Sequence, residues 1–169
     1  MILYLPEKFD ENEWTVIIGV VLNILLFKFL PRRLPKEIIS LIVLLSISFP
    51  TLLDHSIAAK SINLYNLNDM REYEIFDVIL YGVYPAFGYL FVYFLNYWDL
   101  KGIWVAFYIL IWCIFGYSMD FLLEKLHVFN FTGWKLTYSL PLYLVVLSLT
   151  YLFYKLLIYY ADKISIERT

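Results

Sequence analysis

Long apolar segments alternate with short polar ones along the whole chain. The long apolar segments are five, at 14–30, 38–53, 75–97, 103–123 and 136–161. A helix that crosses a bilayer needs about 20 predominantly apolar residues, with about 17 as the lower limit, and only the second segment falls slightly short. The pattern therefore predicts an all-α fold, an integral membrane bundle of about five transmembrane helices that forms a single transmembrane domain over 1–169.

The first two segments are joined by a tight basic turn. Pro31, Arg32, Arg33 and Lys36 lie in this turn. So short a connection would also suit a re-entrant hairpin that enters and leaves the membrane on one side. The apolar lengths favour two full spans over that alternative.

Proline and polar side chains interrupt the apolar segments. Pro85 lies centrally in the third segment, between Gly82 and Gly88, and a proline tends to kink a helix because it cannot donate a backbone hydrogen bond. Just before this segment, Asp69 and Glu72 have the spacing of a capping box, which predicts that the third helix begins there. Uncharged polar side chains at membrane depth are predicted to hydrogen-bond between helices; they are Asn23, Ser46, Ser48, Thr51, Ser139, Tyr143 and Thr150.

Composition supports lipid as the solvent. Of the residues, 62% are hydrophobic, 21% aromatic and only 17% charged, whereas soluble domains are about half apolar and a quarter charged. The net charge of −2 argues against a nucleic-acid partner, which requires clustered Lys and Arg. Cys113 is the only cysteine, so a disulfide within one chain is excluded.

The basic residues predict an orientation, since cytoplasmic loops carry an excess of Lys and Arg. One side of the predicted bundle holds eight of them: Lys28, Arg32, Arg33, Lys36, Lys101, Lys155, Lys163 and Arg168. The other side holds five: Lys8, Lys60, Arg71, Lys125 and Lys135. We therefore expect the N-terminus outside and the C-terminus in the cytoplasm. A composition rich in Ile, Phe, Tyr, Lys and Asn favours a bacterial plasma membrane as the location.

Ionisable residues cluster near the predicted outer ends of the helices, while the centres of the last three are free of them. This outer cluster is the candidate binding site, and its members are Asp54, His55, Asp77, Tyr81, Asp120, Glu124 and His127. Carboxylates and imidazoles from several helices would suit a hard or borderline metal or acid–base chemistry. The interpretation favoured by the pattern is interfacial anchoring, because charged residues at span ends are ordinary.

Known catalytic motifs are missing from the sequence. It contains no His-Glu-x-x-His, no Gly-x-Ser-x-Gly and no glycine-rich phosphate loop. The two histidines are too few for a three-histidine zinc site. The sequence therefore predicts no cofactor and no metal, and it favours a protein that is not an enzyme.

Three stretches carry a resemblance to a known family. They are Tyr81-Gly82-Val83-Tyr84-Pro85, the pair Asp120 and Glu124, and the run Gly133-Trp134-Lys135-x-x-Tyr138-Ser139-x-x-x-Tyr143. With the basic turn and the five-span layout, the chain from about 30 to 160 resembles a family of small multipass membrane proteins of endospore-forming Firmicutes. That family has no assigned activity, so the resemblance implies a fold, a host and a membrane but no site residue.

Several functions fit this pattern. We expect a non-catalytic accessory, sensor or binding protein with an outward-facing polar cluster. Its partners would be the lipid bilayer and either another membrane protein or further copies of itself. One alternative is an intramembrane enzyme that acts on a lipid at the outer leaflet. Another is a carrier of a neutral solute that works as a homo-oligomer.

Overall fold

The chain forms a helical bundle with one small β-ribbon. The computed structural model describes residues 4–6, 8–56, 58, 63–68 and 74–167, with side chains as far as 163. The helices are α1 Glu11–Phe29, α2 Lys36–Ser56, α3 Ile75–Leu80, α4 Tyr84–Tyr97, α5 Ile103–Lys125 and α6 Ser139–Glu167, with a 3₁₀ turn at Leu136–Tyr138 before α6. The strands are β1 Tyr65–Leu67 and β2 Phe129–Phe131.

Five helical stretches are long and apolar enough to cross a membrane, with α3 and α4 together forming the third. This confirms the predicted helical bundle. Helix α2 extends beyond the predicted segment 38–53, through its polar end to Ser56, and reaches 21 residues. A helix of that length suits a full span, so the re-entrant alternative loses its main support.

The third stretch is interrupted where the sequence predicted a kink. Tyr81, Gly82 and Val83 form a turn in which each backbone N–H donates to the carbonyl three residues earlier. Pro85, in the first turn of α4, has no N–H to donate to the Tyr81 carbonyl, so the regular ladder cannot continue. The break therefore separates α3 from α4.

Helix α1 packs against this break. Asn23 donates its Nδ2 to the Val83 carbonyl oxygen at 2.8 Å, which confirms its predicted hydrogen bond between helices. Gly19, one turn earlier, allows the close approach, since a Cβ there would lie 3.0 Å from Val83 Cγ2. Helix α1 is thus hydrogen-bonded to the backbone at the break.

The main helix pairs are α2 with α4 and α5 with α6. Gly88 of α4 lies directly against Ser46 of α2, and Gly116 of α5 lies against the Tyr143 ring, 2.9 Å from where its Cβ would be. The predicted interhelical hydrogen bonds of the small hydroxyl groups were wrong in part. Each of Ser46, Ser48, Thr51 and Thr150 donates instead to the carbonyl four residues earlier in its own helix.

The β-ribbon joins two loops at one end of the bundle, called here the ribbon end. Strands β1 and β2 pair antiparallel, with Tyr65 opposite Phe131 and Leu67 opposite Phe129. The Leu64 carbonyl accepts the backbone N–H groups of Thr132, Gly133 and Trp134. The loop between α2 and α3 is therefore fastened to the loop between α5 and α6.

Candidate functional site

The predicted cluster lies at the ribbon end, and the structure divides it by burial. Asp54 and Asp77 are buried, each 3% exposed. Tyr81, Asp120 and Glu124 are half-buried, and His55 and His127 are exposed. The acids thus point inward while the imidazoles remain at the surface.

Asp54, near the end of α2, is held by tyrosines. The Tyr65 hydroxyl of β1 donates a hydrogen bond to Asp54 Oδ1. Tyr81, at the helix break, lies close enough to interact with the same carboxylate. This contact ties the ribbon to the end of α2, so Asp54 acts as an acceptor that positions the ribbon.

Asp77 starts α3 and holds the residue that follows β1. Its Oδ2 accepts the backbone N–H of Glu74 at 2.8 Å, as the acidic residue of a capping box does. Its Oδ1 accepts Nδ2 of the fully buried Asn68 at 2.6 Å. The capping pair predicted at Asp69 and Glu72 lies outside the described residues.

Asp120 joins α5 to α6. Its Oδ1 accepts the Tyr143 hydroxyl at 2.7 Å, which confirms the predicted interhelical role of Tyr143. Buried Ser139 lies beside the same carboxylate. Tyr84 of α4 is within electrostatic reach of both Asp54 and Asp120.

His127 has a local structural role. It follows α5 with φ +55°, a left-handed conformation that ends many helices. Its N–H bonds to the Glu124 carbonyl and the N–H of Val128 bonds to the Leu123 carbonyl, the two hydrogen bonds of a Schellman motif. With Glu124 it borders a shallow surface depression that also includes Lys125, Phe129, Asn130, Phe131 and Thr132.

The arrangement gives little support to the metal interpretation. Across the described part of the chain, no three His, Cys, Asp or Glu side chains come together as a metal centre would require. His55 Nδ1 lies 2.8 Å from the Thr51 carbonyl oxygen of its own helix. Four oxygens of the three aspartates already accept hydrogen bonds from protein donors: Asp54 Oδ1, Asp77 Oδ1, Asp77 Oδ2 and Asp120 Oδ1.

Sequence reasoning missed several residues of this end. Tyr65 and Asn68 were read only as loop residues, yet they supply the donors to Asp54 and Asp77. Asn12 and Glu13 at the start of α1 are fully buried, and Glu13 Oε2 accepts the Asp10 N–H at 2.8 Å. The acid at the third position after Asp10 is the spacing that signals such a cap.

The bond between Tyr143 and Asp120 is expected to couple α5 and α6 energetically. Removing one partner leaves the other buried and unsatisfied, whereas replacing both with apolar groups is much less costly. In a double-mutant cycle of Tyr143→Phe and Asp120→Leu, we expect a coupling of about 1–2 kcal/mol. The readout is thermal unfolding in detergent, followed by labelling of the buried Cys113 thiol. The control cycle pairs Tyr143→Phe with Glu124→Leu, and its effects should add; equal coupling in both cycles would contradict a specific bond.

Comparison of the chain with protein-family models, curated proteins and solved structures gave no match, so the proposals that follow rest on the contacts of its own residues.

Proposed function

We propose that the chain is a multi-pass protein of the bacterial plasma membrane that serves as a non-catalytic accessory, sensor or binding protein. The ribbon end would be its recognition surface. The observation that carries this proposal is that three aspartates of the ribbon end hold protein groups together. Asp54, Asp77 and Asp120 each accept hydrogen bonds from protein groups and thereby join helices, ribbon and loops. Acids engaged in this way fix the geometry of the ribbon end, and their hydrogen-bonded oxygens are not free to act on a substrate.

The apolar exterior supports insertion in a bilayer. Large hydrophobic side chains are exposed along whole helices, including Ile18, Leu22 and Phe29 of α1 and Phe107, Ile111 and Ile114 of α5. Soluble proteins rarely leave apolar patches of such extent uncovered. Trp14, Trp98 and Trp104 are exposed near helix ends, where tryptophan is enriched at membrane interfaces.

The proposed orientation places the ribbon end outside. The basic turn and Lys101 lie at the opposite end of the bundle, where Arg33 stacks on Tyr97 at the end of α4. This asymmetry follows the positive-inside rule. Membership of the Firmicutes family remains a prediction from the resemblance, and it agrees with a bacterial plasma membrane.

The two alternatives have weaker support. A lipid-modifying enzyme would need an acid or base that can reach its substrate, but Asp54 and Asp77 are 3% exposed. His55 and His127 are exposed, but no third His, Cys, Asp or Glu joins either of them in a metal-binding group among the described residues. A neutral-solute carrier would need a path through the helices. The close contacts of Gly88 with Ser46 and of Gly116 with Tyr143 leave no room at those two crossings.

Native mass spectrometry of the chain, extracted gently from its own membrane, tests the proposed function. We expect a second membrane protein, or a second copy, at fixed stoichiometry. Lys125→Glu reverses an exposed charge at the ribbon end and should weaken the complex. Lys163→Glu, the matched change at the other end, should leave it intact.

Two results would contradict the proposal. One is a chain that is monomeric after the gentlest extraction and turns over a lipid. The other is a complex that Lys163→Glu disrupts and Lys125→Glu does not, since recognition would then lie at the opposite end.

A further inference from the structure

The turn between α1 and α2 carries cations without carboxylate partners. Arg32, Arg33 and Lys36 are all exposed. Within the described part of the chain, the one ion pair joins Lys101 to Asp99 at 2.6 Å, so none of these three cations has an acid within 4 Å. A concentration of unpaired positive charge in so short a segment attracts an anion.

Arg33 is held in place by an aromatic ring. Its guanidinium carbon lies 4.2 Å from the centroid of the Tyr97 ring, a distance typical of a cation–π contact. This contact restrains the guanidinium but leaves its N–H groups available, and their fork matches the geometry of a phosphate. Tyr97 and the adjacent Trp98 are about half-exposed, as interfacial aromatic residues are.

The start of α2 adds a second attraction for an anion. The helix begins at Lys36, directly after Pro35, and the N–H groups of its first turn have no partner within the helix. Lys36 in this turn opposes the helix dipole, whereas Glu37 beside it complements the dipole. The free N–H groups still favour an anion, because helix N-termini bind phosphate through them.

Apolar side chains adjoin these cations. Phe29, at the end of α1, is 72% exposed and precedes the turn by a few residues. An acyl chain could lie along such a surface while its headgroup reached the cations. Inorganic phosphate has no apolar part that could contact Phe29.

We propose that the turn from Pro31 to Lys36, with Tyr97, is a binding site for the phosphate headgroup of an anionic phospholipid. Arg33 would contact the phosphate, with Arg32 and Lys36 supplying further positive charge. This inference rests on the membrane location proposed above and adds a defined lipid contact at the cytoplasmic end.

Native mass spectrometry of the purified full chain with equal amounts of phosphatidylglycerol and phosphatidylcholine tests the site. We expect the wild type to retain phosphatidylglycerol preferentially. Arg33→Gln should reduce this preference about fivefold, since one basic residue near an anionic surface contributes about that factor, and adding Arg32→Gln should reduce it further. Tyr97→Phe keeps a ring beneath the guanidinium and should bind nearly as wild type, whereas Tyr97→Leu should bind more weakly.

The controls remove the same charge from the ribbon end. Lys125→Gln and Lys135→Gln should leave the preference unchanged, and Cys113 labelling should show that all variants remain folded. Equal retention of the two lipids by the wild type would overturn the site, and so would an equal loss in the control variants. Displacement of the lipid by inorganic phosphate that itself remains bound would overturn the assignment to a lipid.

A separate measurement distinguishes failure of this site from failure of the membrane proposal. An inserted chain should resist extraction from membranes by alkaline carbonate. Release by carbonate would contradict the membrane location itself, while a retained chain without lipid preference would contradict the headgroup site alone.

Discussion

Asp77→Ala is expected to lower the free energy of unfolding of the ribbon end by about 3 kcal/mol, because two buried donors lose a carboxylate acceptor. The donors are the Glu74 N–H at 2.8 Å and Asn68 Nδ2 at 2.6 Å. Both Glu74 and Asn68 are fully buried, so water cannot readily replace the lost oxygen atoms. The start of α3 and the end of β1 should therefore loosen together.

Hydrogen–deuterium exchange and thiol labelling together measure this effect. We expect faster exchange over 63–68 and 74–80 in Asp77→Ala, with a smaller change in α4 and α5. Labelling of Cys113, buried in α5, reports whether the whole bundle opens. Glu124→Ala removes a less buried carboxylate at the same end and should change little.

Asp77→Asn separates hydrogen bonding from charge. The amide has the shape of the carboxylate but turns an NH₂ group toward one of the two donors, so one acceptor is still lost. We expect most of the destabilisation to remain. If Asp77→Asn exchanged as slowly as the wild type over 63–68 and 74–80, the shape of the side chain alone would hold these two segments. That result would contradict the hydrogen-bonding role of Asp77.

The five long helical stretches were predictable from the sequence, because a helix that crosses a bilayer needs about 20 predominantly apolar residues and such segments are visible in the sequence. The helix break was predictable as well, since Pro85 lacks the N–H that the Tyr81 carbonyl would accept. The residues at which the helices end were harder to predict. Helix α2 continues through Asp54 and His55 because an acid can remain helical when a neighbouring element supplies its donor, here Tyr65.

The ribbon was not predictable from local pattern. Its strands have three residues each and lie about sixty residues apart in the chain, and both contain asparagine, which is depleted in strands. Pairing depends on the helices bringing the two loops to the same end. Once they do, the paired backbones satisfy polar groups of the two loops that would otherwise lack partners in the protein.

The tyrosines that donate hydrogen bonds to Asp54 and Asp120 could not be predicted either. The chain has 16 tyrosines, and nothing in the sequence distinguishes Tyr65 and Tyr143 from the rest. Helix packing selects them, since each lies on an element adjacent to its acid. The hydroxyl of Ser46 shows the reverse case, because it bonds within its own helix at 2.7 Å although the pattern suggested a partner on another helix. A serine in a helix can always reach the carbonyl four residues earlier in that helix. A serine at membrane depth therefore does not by itself predict a hydrogen bond to another helix.

The contact between Gly88 and Ser46 shows where small size matters most in this bundle. Gly88 is buried, and a Cβ at this position would collide with Ser46 Oγ and lie 3.0 Å from Ser46 Cβ. Rotation of the serine hydroxyl would relieve only the first collision, and it would break the bond from Oγ to the Ile42 carbonyl. The backbones of α2 and α4 must therefore separate to accept a larger residue, and these helices form one of the two main pairs of the fold.

Gly88→Val is expected to destabilise the bundle by about 3 kcal/mol, at the upper end of the usual cost of overpacking, and Gly88→Ala by less. Cys113 labelling during thermal unfolding in detergent measures both. Ala106→Val adds volume on an exposed face of α5 and should have little effect.

Ser46→Gly removes the atoms that obstruct the new Cβ, so Gly88→Ala combined with Ser46→Gly should be more stable than the sum of the two single effects predicts. Strict additivity would mean that α2 and α4 do not meet at this point, because only residues in contact couple in this way.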